Sequence, residues 1–246
     1  MRKPKFGMYK PWSANMSEGW NRWLLEKYEF DFKNILNSEM KAGSLIERYD
    51  VIYIPDINAE GIIEGRPEGT VPPAFAKGIG PEGLSNLKEF VKKGGTLIML
   101  DSACELVIGE LGLPVSNVLK GIDSKKFFCP GSILKIEVNN NHLIGFGMES
   151  EAGAVFSQSP AFKVIPSFNI DAETVVKYPN KNPLMSGWVI GEDNISDKSA
   201  VVNIPYEKGR VILIGFNVIN RAQSCGTFKI LFNSIYYGAS ELTELR

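Results

Sequence analysis

The chain has 246 residues, 27 Lys plus Arg against 28 Asp plus Glu, a formal net charge of -1, and a hydrophobic share of 44%. A chain of this length buries roughly 70–75% of the surface its unfolded form exposes, so folding needs no disulfide or metal staple. Neither sign of charge gathers into a block, which speaks against a nucleic-acid arm, an acidic tail or a polyanionic partner.

Three cysteines, Cys104, Cys129 and Cys225, cannot all pair within one chain, and their spacing matches neither a disulfide framework nor a zinc site. Each reads first as a small buried apolar residue. The start, Met1-Arg2-Lys3-Pro4-Lys5, leads into a strand and a charged amphipathic helix rather than an apolar signal core. No stretch is long and apolar enough to span a bilayer, so a soluble chain with no membrane partner is expected. One α/β domain over residues 1–240 with a short tail at 241–246 accounts for the pattern, since no repeat, low-complexity tract or linker interrupts it.

Taken in order, Phe6 to Tyr9 is a short apolar run that Pro11 stops from continuing as a ladder donor. Ser17 is a suitable N-cap for the next helix, in which Trp20, Trp23, Leu24 and Tyr28 fall at helical spacing and are expected in the core. Phe30 to Ile35 reads as a second strand and Ser38 to Tyr49 as a helix weakened at Gly43. Val51-Ile52-Tyr53-Ile54 is a buried strand closed by Pro55-Asp56. The segment from Asp56 to Gly80 is irregular, broken by glycines and prolines, yet carries enough apolar residues to fold down over the sheet edge. Pro81 then suits a first helical turn, with Leu84, Leu87, Phe90 and Val91 on the inner face and Gly94 ending the helix.

Thr96 to Leu100 is apolar without alternation, the pattern of a parallel strand covered on both faces. Its following turn, Asp101-Ser102-Ala103-Cys104, falls at the carboxyl end of a central strand, where open α/β sheets place their ligands. A helix over about 103–111 follows, then strands at Ile133 to Val138, Ala154 to Phe156 and Thr174 to Val176. Val201 to Ile204 and Arg210 to Phe216 flank Tyr206-Glu207-Lys208-Gly209 as a hairpin, with Gly209 supplying a positive φ and Pro205 pushing the first arm toward an edge. Phe228, Leu231, Phe232, Ile235 and Tyr236 mark the inner face of a last helix.

Several residues could carry chemistry. Gly78-Ile79-Gly80-Pro81-Glu82-Gly83 spells a dinucleotide fingerprint, but no buried strand precedes it to aim a helix amino terminus at a pyrophosphate. Cys104 at a helix start could be a nucleophile, and the only histidine, His142, would have to be its base. One histidine rules out a two-histidine zinc site. Glu18, Asp56, Asp101 and Glu105 could gather at the sheet edge, although strand-end loops are polar without binding metal, and no metal or other cofactor is expected. Asp101, Ser102, Asp56 and Arg221 are the candidates for a small-ligand site; Arg221 lies in the connection 217–227, which either binds an anion or is an ordinary capped link. Trp12, Trp20, Trp23 and Trp188 could furnish a contact surface.

Tyr49 to Asp56, Leu87 to Ala103 and Glu207 to Gly215 together resemble the class I glutamine amidotransferase-like superfamily, which implies a three-layer flavodoxin-like α/β sandwich with a mostly parallel central sheet and an antiparallel hairpin near the carboxyl terminus. A closer resemblance runs from about Phe6 to Tyr237. Gly7-Met8-Tyr9-Lys10-Pro11-Trp12, Glu18-Gly19-Trp20, Leu100-Asp101-Ser102-Ala103, Gly112-Leu113-Pro114-Val115, Phe128-Cys129-Pro130-Gly131-Ser132-Ile133-Leu134, Ser159-Pro160-Ala161-Phe162 and Ser186-Gly187-Trp188 are similar, in order, to the domain that follows the catalytic domain in bacterial zinc carboxypeptidases of the carboxypeptidase A type.

The resemblance implies a non-catalytic accessory domain whose partner is a zinc carboxypeptidase catalytic domain in the same polypeptide, in a parent enzyme of the usually exported kind. Working amidotransferases carry a cysteine in the elbow after the central strand and a His-x-Glu pair. Here Asp101 and Ser102 hold the elbow, Cys104 is displaced into the helix, and Leu143-Ile144 follow His142, so the triad does not carry over. The peptidase zinc ligands belong to the catalytic domain and do not carry over either. The alternatives are a free-standing hydrolase or amidotransferase using Cys104 and His142, and a small-ligand module at the carboxyl edge of the sheet.

Overall fold

The computed structural model describes residues 3–223 and 225–240; the tail at 241–246 lies outside them, as does Ser224 of the 217–227 connection. The buried strand β1 (Phe6–Tyr9) leads to helix α1 (Met16–Lys27) and strand β2 (Lys33–Ile35). Helices α2 (Asn37–Ala42) and α3 (Leu45–Arg48) stand where one helix was expected. Gly43 and Ser44 both take positive φ, 74° and 51°, which a continuous right-handed helix cannot pass through.

Strands β3 (Val51–Ile54) and β4 (Thr96–Leu100) are buried along their whole length. Between them lie α4 (Ala59–Ile63) and α5 (Gly80–Lys92), the latter with proline in its first turn. Ile62 and Ile79 are fully buried, so the irregular connection does fold down onto the core. Helix α6 (Cys104–Glu110) leaves β4, followed by β5 (Val115–Asn117), β6 (Ser132–Val138) and β7 (Glu151–Phe156). Then come β8 (Phe162–Val164), β9 (Glu173–Lys177) and β10 (Leu184–Ser186). The hairpin β11 (Ser199–Tyr206) and β12 (Gly209–Ile214) and helix α7 (Phe228–Gly238) complete the described chain.

These strands join one sheet with the path β10-β6-β9-β11-β12-β4-β3-β1-β2 among the described residues. Its β2-β1-β3-β4-β12 half is parallel throughout. Counted among themselves these five strands have the order 2-1-3-4-5, that of doubly wound flavodoxin-like sheets. β11 reverses direction against β12, and the antiparallel part extends past this hairpin through β9 and β6 to β10 and β7.

Alternation along each strand divides the core. Ile98 and Leu100 of β4 pack with Leu24 and Leu25 of α1 and with Leu231 and Ile235 of α7. Leu97 and Met99 pack with Leu87, Phe90 and Val91 of α5 and Leu106 of α6. The result is the expected three-layer α/β sandwich, with the carboxyl ends of β3 and β4 side by side.

Several local expectations are corrected. The cap of α1 is Asn15, whose side chain accepts from Glu18 N at 2.7 Å, and not Ser17. The buried residues of α1 are Glu18, Asn21, Leu24 and Leu25; Trp23 and Tyr28 are 36% and 48% exposed, so the aromatic stripe flanks the core. Pro205 is not on an edge strand, because β11 pairs on both sides; the pairing with β9 ends at Asn203 opposite Glu173, and no partner calls for the missing N–H. In the hairpin turn Glu207 takes the positive φ, 52°. Gly209 answers to space instead, since a Cβ there would lie 2.3 Å from the carbonyl oxygens of Gly95 and Val91. Cys104 and Cys129 are buried as expected, whereas Cys225 is exposed.

Candidate functional site

The turn after β4 is a strand-to-helix elbow. Asp101 takes φ 51° directly after the strand, a left-handed conformation that is uncommon outside glycine and that marks nucleophile elbows in α/β enzymes. Its side chain is buried, and Oδ2 accepts from Ser159 Oγ at 2.6 Å and from Asn217 Nδ2 at 3.4 Å. Burial, and next the charge of Asp56, push its pKa up to about 8. The group standing where a nucleophile would be is therefore a buried carboxyl held in its acid form at neutral pH.

Ser102 turns the other way. Its backbone N donates to Asp56 Oδ1 at 3.2 Å, and its hydroxyl makes a second, shorter bond to the same oxygen. Asp56 N donates to Ser17 Oγ at 3.2 Å, and Asn15 Nδ2 donates to Asp56 O at 3.1 Å, so the start of α1 is tied to the exit of β3. Ser17 thus works as an anchor between elements. Below them the buried Tyr53 hydroxyl donates to Asn21 Oδ1 at 2.8 Å. Asp56, Asp101 and Ser102 do converge at the carboxyl edge.

Cys104 and His142 do not converge. The Cys104 thiol is buried in the layer under α5 and α6, with Sγ 3.3 Å from Met99 O and 3.7 Å from Ile214 O. Burial, followed by the nearby Asp101, raises its pKa well above that of a free thiol. His142 contacts Tyr237, which packs on the opposite layer, at a ring separation of 5.3 Å. Its Nδ1 accepts from Ile144 N at 3.0 Å and its Nε2 lies 3.2 Å from Glu173 Oε2. Burial lowers its basicity, against the opposing charge of Glu173. The sheet separates the two groups.

The four carboxylates considered for a cation are drawn to different partners. Glu18 pairs with Arg22 at 3.2 Å and Glu105 with Lys120 at 2.8 Å, while Asp56 serves Ser102. Among the described residues no group of three or more His, Cys, Asp or Glu side chains is placed to hold a metal ion. None of the described helices is long and apolar enough to cross a membrane.

Arg221 stands apart from the elbow acids, on a cleft of about 630 Å³ between the β6–β7 ribbon, β10 and the turn Asn220–Gln223. One wall joins two of the motifs quoted above: Ser132 Oγ donates to Trp188 O at 2.7 Å and accepts from Trp188 N at 2.9 Å. A bonded path links the cleft to the elbow, since Ser157 N donates to Ser159 Oγ at 3.2 Å and that hydroxyl donates to Asp101. Ser159 and Asn217 were not candidates from the sequence. Small polar residues in loops carry no periodicity, and only the order of strand ends in the finished sheet brings them to Asp101.

No family model matches the chain, and no curated protein matches it. Solved structures match its fold. A ThuA-like protein from Bacteroides uniformis aligns with a TM-score of 0.56 and 15% identity over 97% of this chain and 93% of that one. PurLQS from Thermotoga maritima aligns with a TM-score of 0.56 and 16% identity over 96% and 99%. A β-galactosidase from Bacillus circulans aligns with a TM-score of 0.56 and 12% identity over 96% of this chain but 31% of its own length. The chain has the class I glutamine amidotransferase-like fold, and at these identities the likeness is one of fold alone.

Proposed function

We propose that the chain is a non-catalytic accessory domain on an amidotransferase-like frame, serving a zinc carboxypeptidase by packing on its catalytic domain or by helping to recognise its peptide substrate. The observation that carries the non-catalytic half is the elbow. Its leading position holds a buried acid, the nearest thiol points at two backbone carbonyls, and the imidazole lies across the sheet. A nucleophile needs a base within hydrogen-bond reach, and the Cys104–His142 alternative lacks that.

The choice of partner rests on the ordered series of motifs similar to the peptidase accessory domain. It is supported by the way two of them, Gly131-Ser132 and Ser186-Gly187-Trp188, form one bonded wall. The same shape also spans 31% of a longer β-galactosidase, so it is compatible with a place inside a larger hydrolase.

The test starts from the native reading frame, which is expected to encode a zinc carboxypeptidase domain in the same polypeptide as this chain; a frame without one would overturn the choice of partner. Removing this chain from that polypeptide is expected to lower either peptide turnover or the melting temperature of the peptidase domain. A peptidase domain unchanged in both would overturn the accessory role.

A further inference from the structure

The cleft beside Arg221 has the size of a small-molecule site, about 630 Å³. Arg221 is the one charged residue among its described lining residues, and none of the described carboxylates pairs with it. An unpaired guanidinium in a concave surface otherwise free of charge selects an anion.

The backbone that presents it is unusual. Arg221 and Ala222 take φ 53° and 63°, and Gln223 N donates back to Asn220 O at 3.0 Å. Two successive left-handed residues belong to the type I′ turn, which favours Asn and Gly; here they are Arg and Ala. Backbone strain of this kind clusters at ligand-binding and catalytic sites.

The opposite wall is fixed. Ser132 Oγ bonds twice to the Trp188 backbone. Gly187 has φ 98°, and a Cβ there would lie 2.6 Å from Ser132 Oγ, so only glycine lets the wall close this tightly. Between wall and turn the lining is apolar at Ile133 and Val155. A planar fork pairs bidentately with carboxylate and phosphate alike, but with no lysine among the described lining residues its single charge balances a monoanion such as a carboxylate and leaves a phosphate dianion under-neutralised.

We propose that this cleft binds a small molecule with one carboxylate, gripped by Arg221, and an apolar body lying on Ile133 and Val155. The inference stands on the cleft and not on a peptidase partner. A parent enzyme indifferent to loss of this chain would refute the accessory role and leave carboxylate binding untouched.

The experiment is titration calorimetry of the full chain with N-acetyl-L-leucine, its neutral amide and glucuronate. The acid is expected to bind about tenfold or more tightly than the amide, because a charge-assisted bidentate pair is lost in the amide. Arg221→Gln is expected to abolish that preference at an unchanged melting temperature, since the residue is exposed. Arg221→Lys, which keeps the charge and loses the fork, is expected to fall between. Glucuronate, which has no apolar body, is expected to bind more weakly than N-acetyl-L-leucine. Equal binding of acid and amide, an Arg221→Gln variant that still prefers the acid, glucuronate binding as tightly as N-acetyl-L-leucine, or no saturable binding at millimolar ligand would each overturn the proposal.

Discussion

Burial raises the Asp101 carboxyl to about 8 against an ordinary value of 3.8, with the charge of Asp56 adding to the shift. Between those two values the folded chain holds a proton that the unfolded chain has released. Stability from this group is therefore complete below about pH 4 and is lost as the pH rises toward 8. A melting temperature that declines from pH 5.5 to about 8 is expected on this account, and the decline should flatten in Asp101→Asn, whose side-chain oxygen still accepts from Ser159 and Asn217. An identical slope in the variant would place the pH dependence elsewhere. The thiols give a second residue-level outcome, because Cys104 and Cys129 are buried and Cys225 is exposed. A thiol reagent should label one cysteine in the folded chain and all 3 after unfolding; fast labelling of Cys104 in the folded chain would contradict its burial.

Elements with one dominant physical signal were legible in the sequence. The short, unbroken apolar runs of β3 and β4 read as strands covered on both faces, and the spacing of Leu231 and Ile235 reads as an inner helix face. The position of Asp56 and Asp101 followed from those strands. Features decided by two elements at once were not legible. Ser17 looked like a cap, but the neighbouring β3 exit claims its hydroxyl for Asp56 N, and Asn15 caps instead. Gly209 looked like a turn glycine, but its reason is the approach of the α5–β4 connection. That approach makes a prediction for the hairpin: Gly209→Ala drives a methyl against the Gly95 and Val91 carbonyls, neither of which belongs to a flexible side chain. The expected loss is about 1–3 kcal/mol in denaturant unfolding, the usual cost of overpacking. A neutral variant would mean that the turn glycine does no more than other residues could.

At the scale of the molecule, the question is whether the parallel and antiparallel halves of the sheet unfold as one unit. One apolar layer spans both halves of the sheet, from Phe6 and Met8 of β1 through Ile98 and Leu100 of β4 and Ile212 of β12 to Ile136 of β6 and Phe156 of β7. Strand pairing is also continuous where the direction changes, β12 bonding to β4 on one side and to β11 on the other. Opening either half would strip apolar surface from the other, which makes partial unfolding costly and a single cooperative transition the expected outcome. The tryptophans can check this, because Trp12, Trp20 and Trp23 lie in the parallel half and Trp188 follows β10 at the far end. In a variant with Trp12→Phe, Trp20→Phe and Trp23→Phe, the fluorescence of Trp188 alone should melt at the same temperature as the far-ultraviolet ellipticity of the same variant. A Trp188 transition well below the ellipticity transition would mean that the antiparallel half opens first, and that the cleft it carries can deform independently of the elbow.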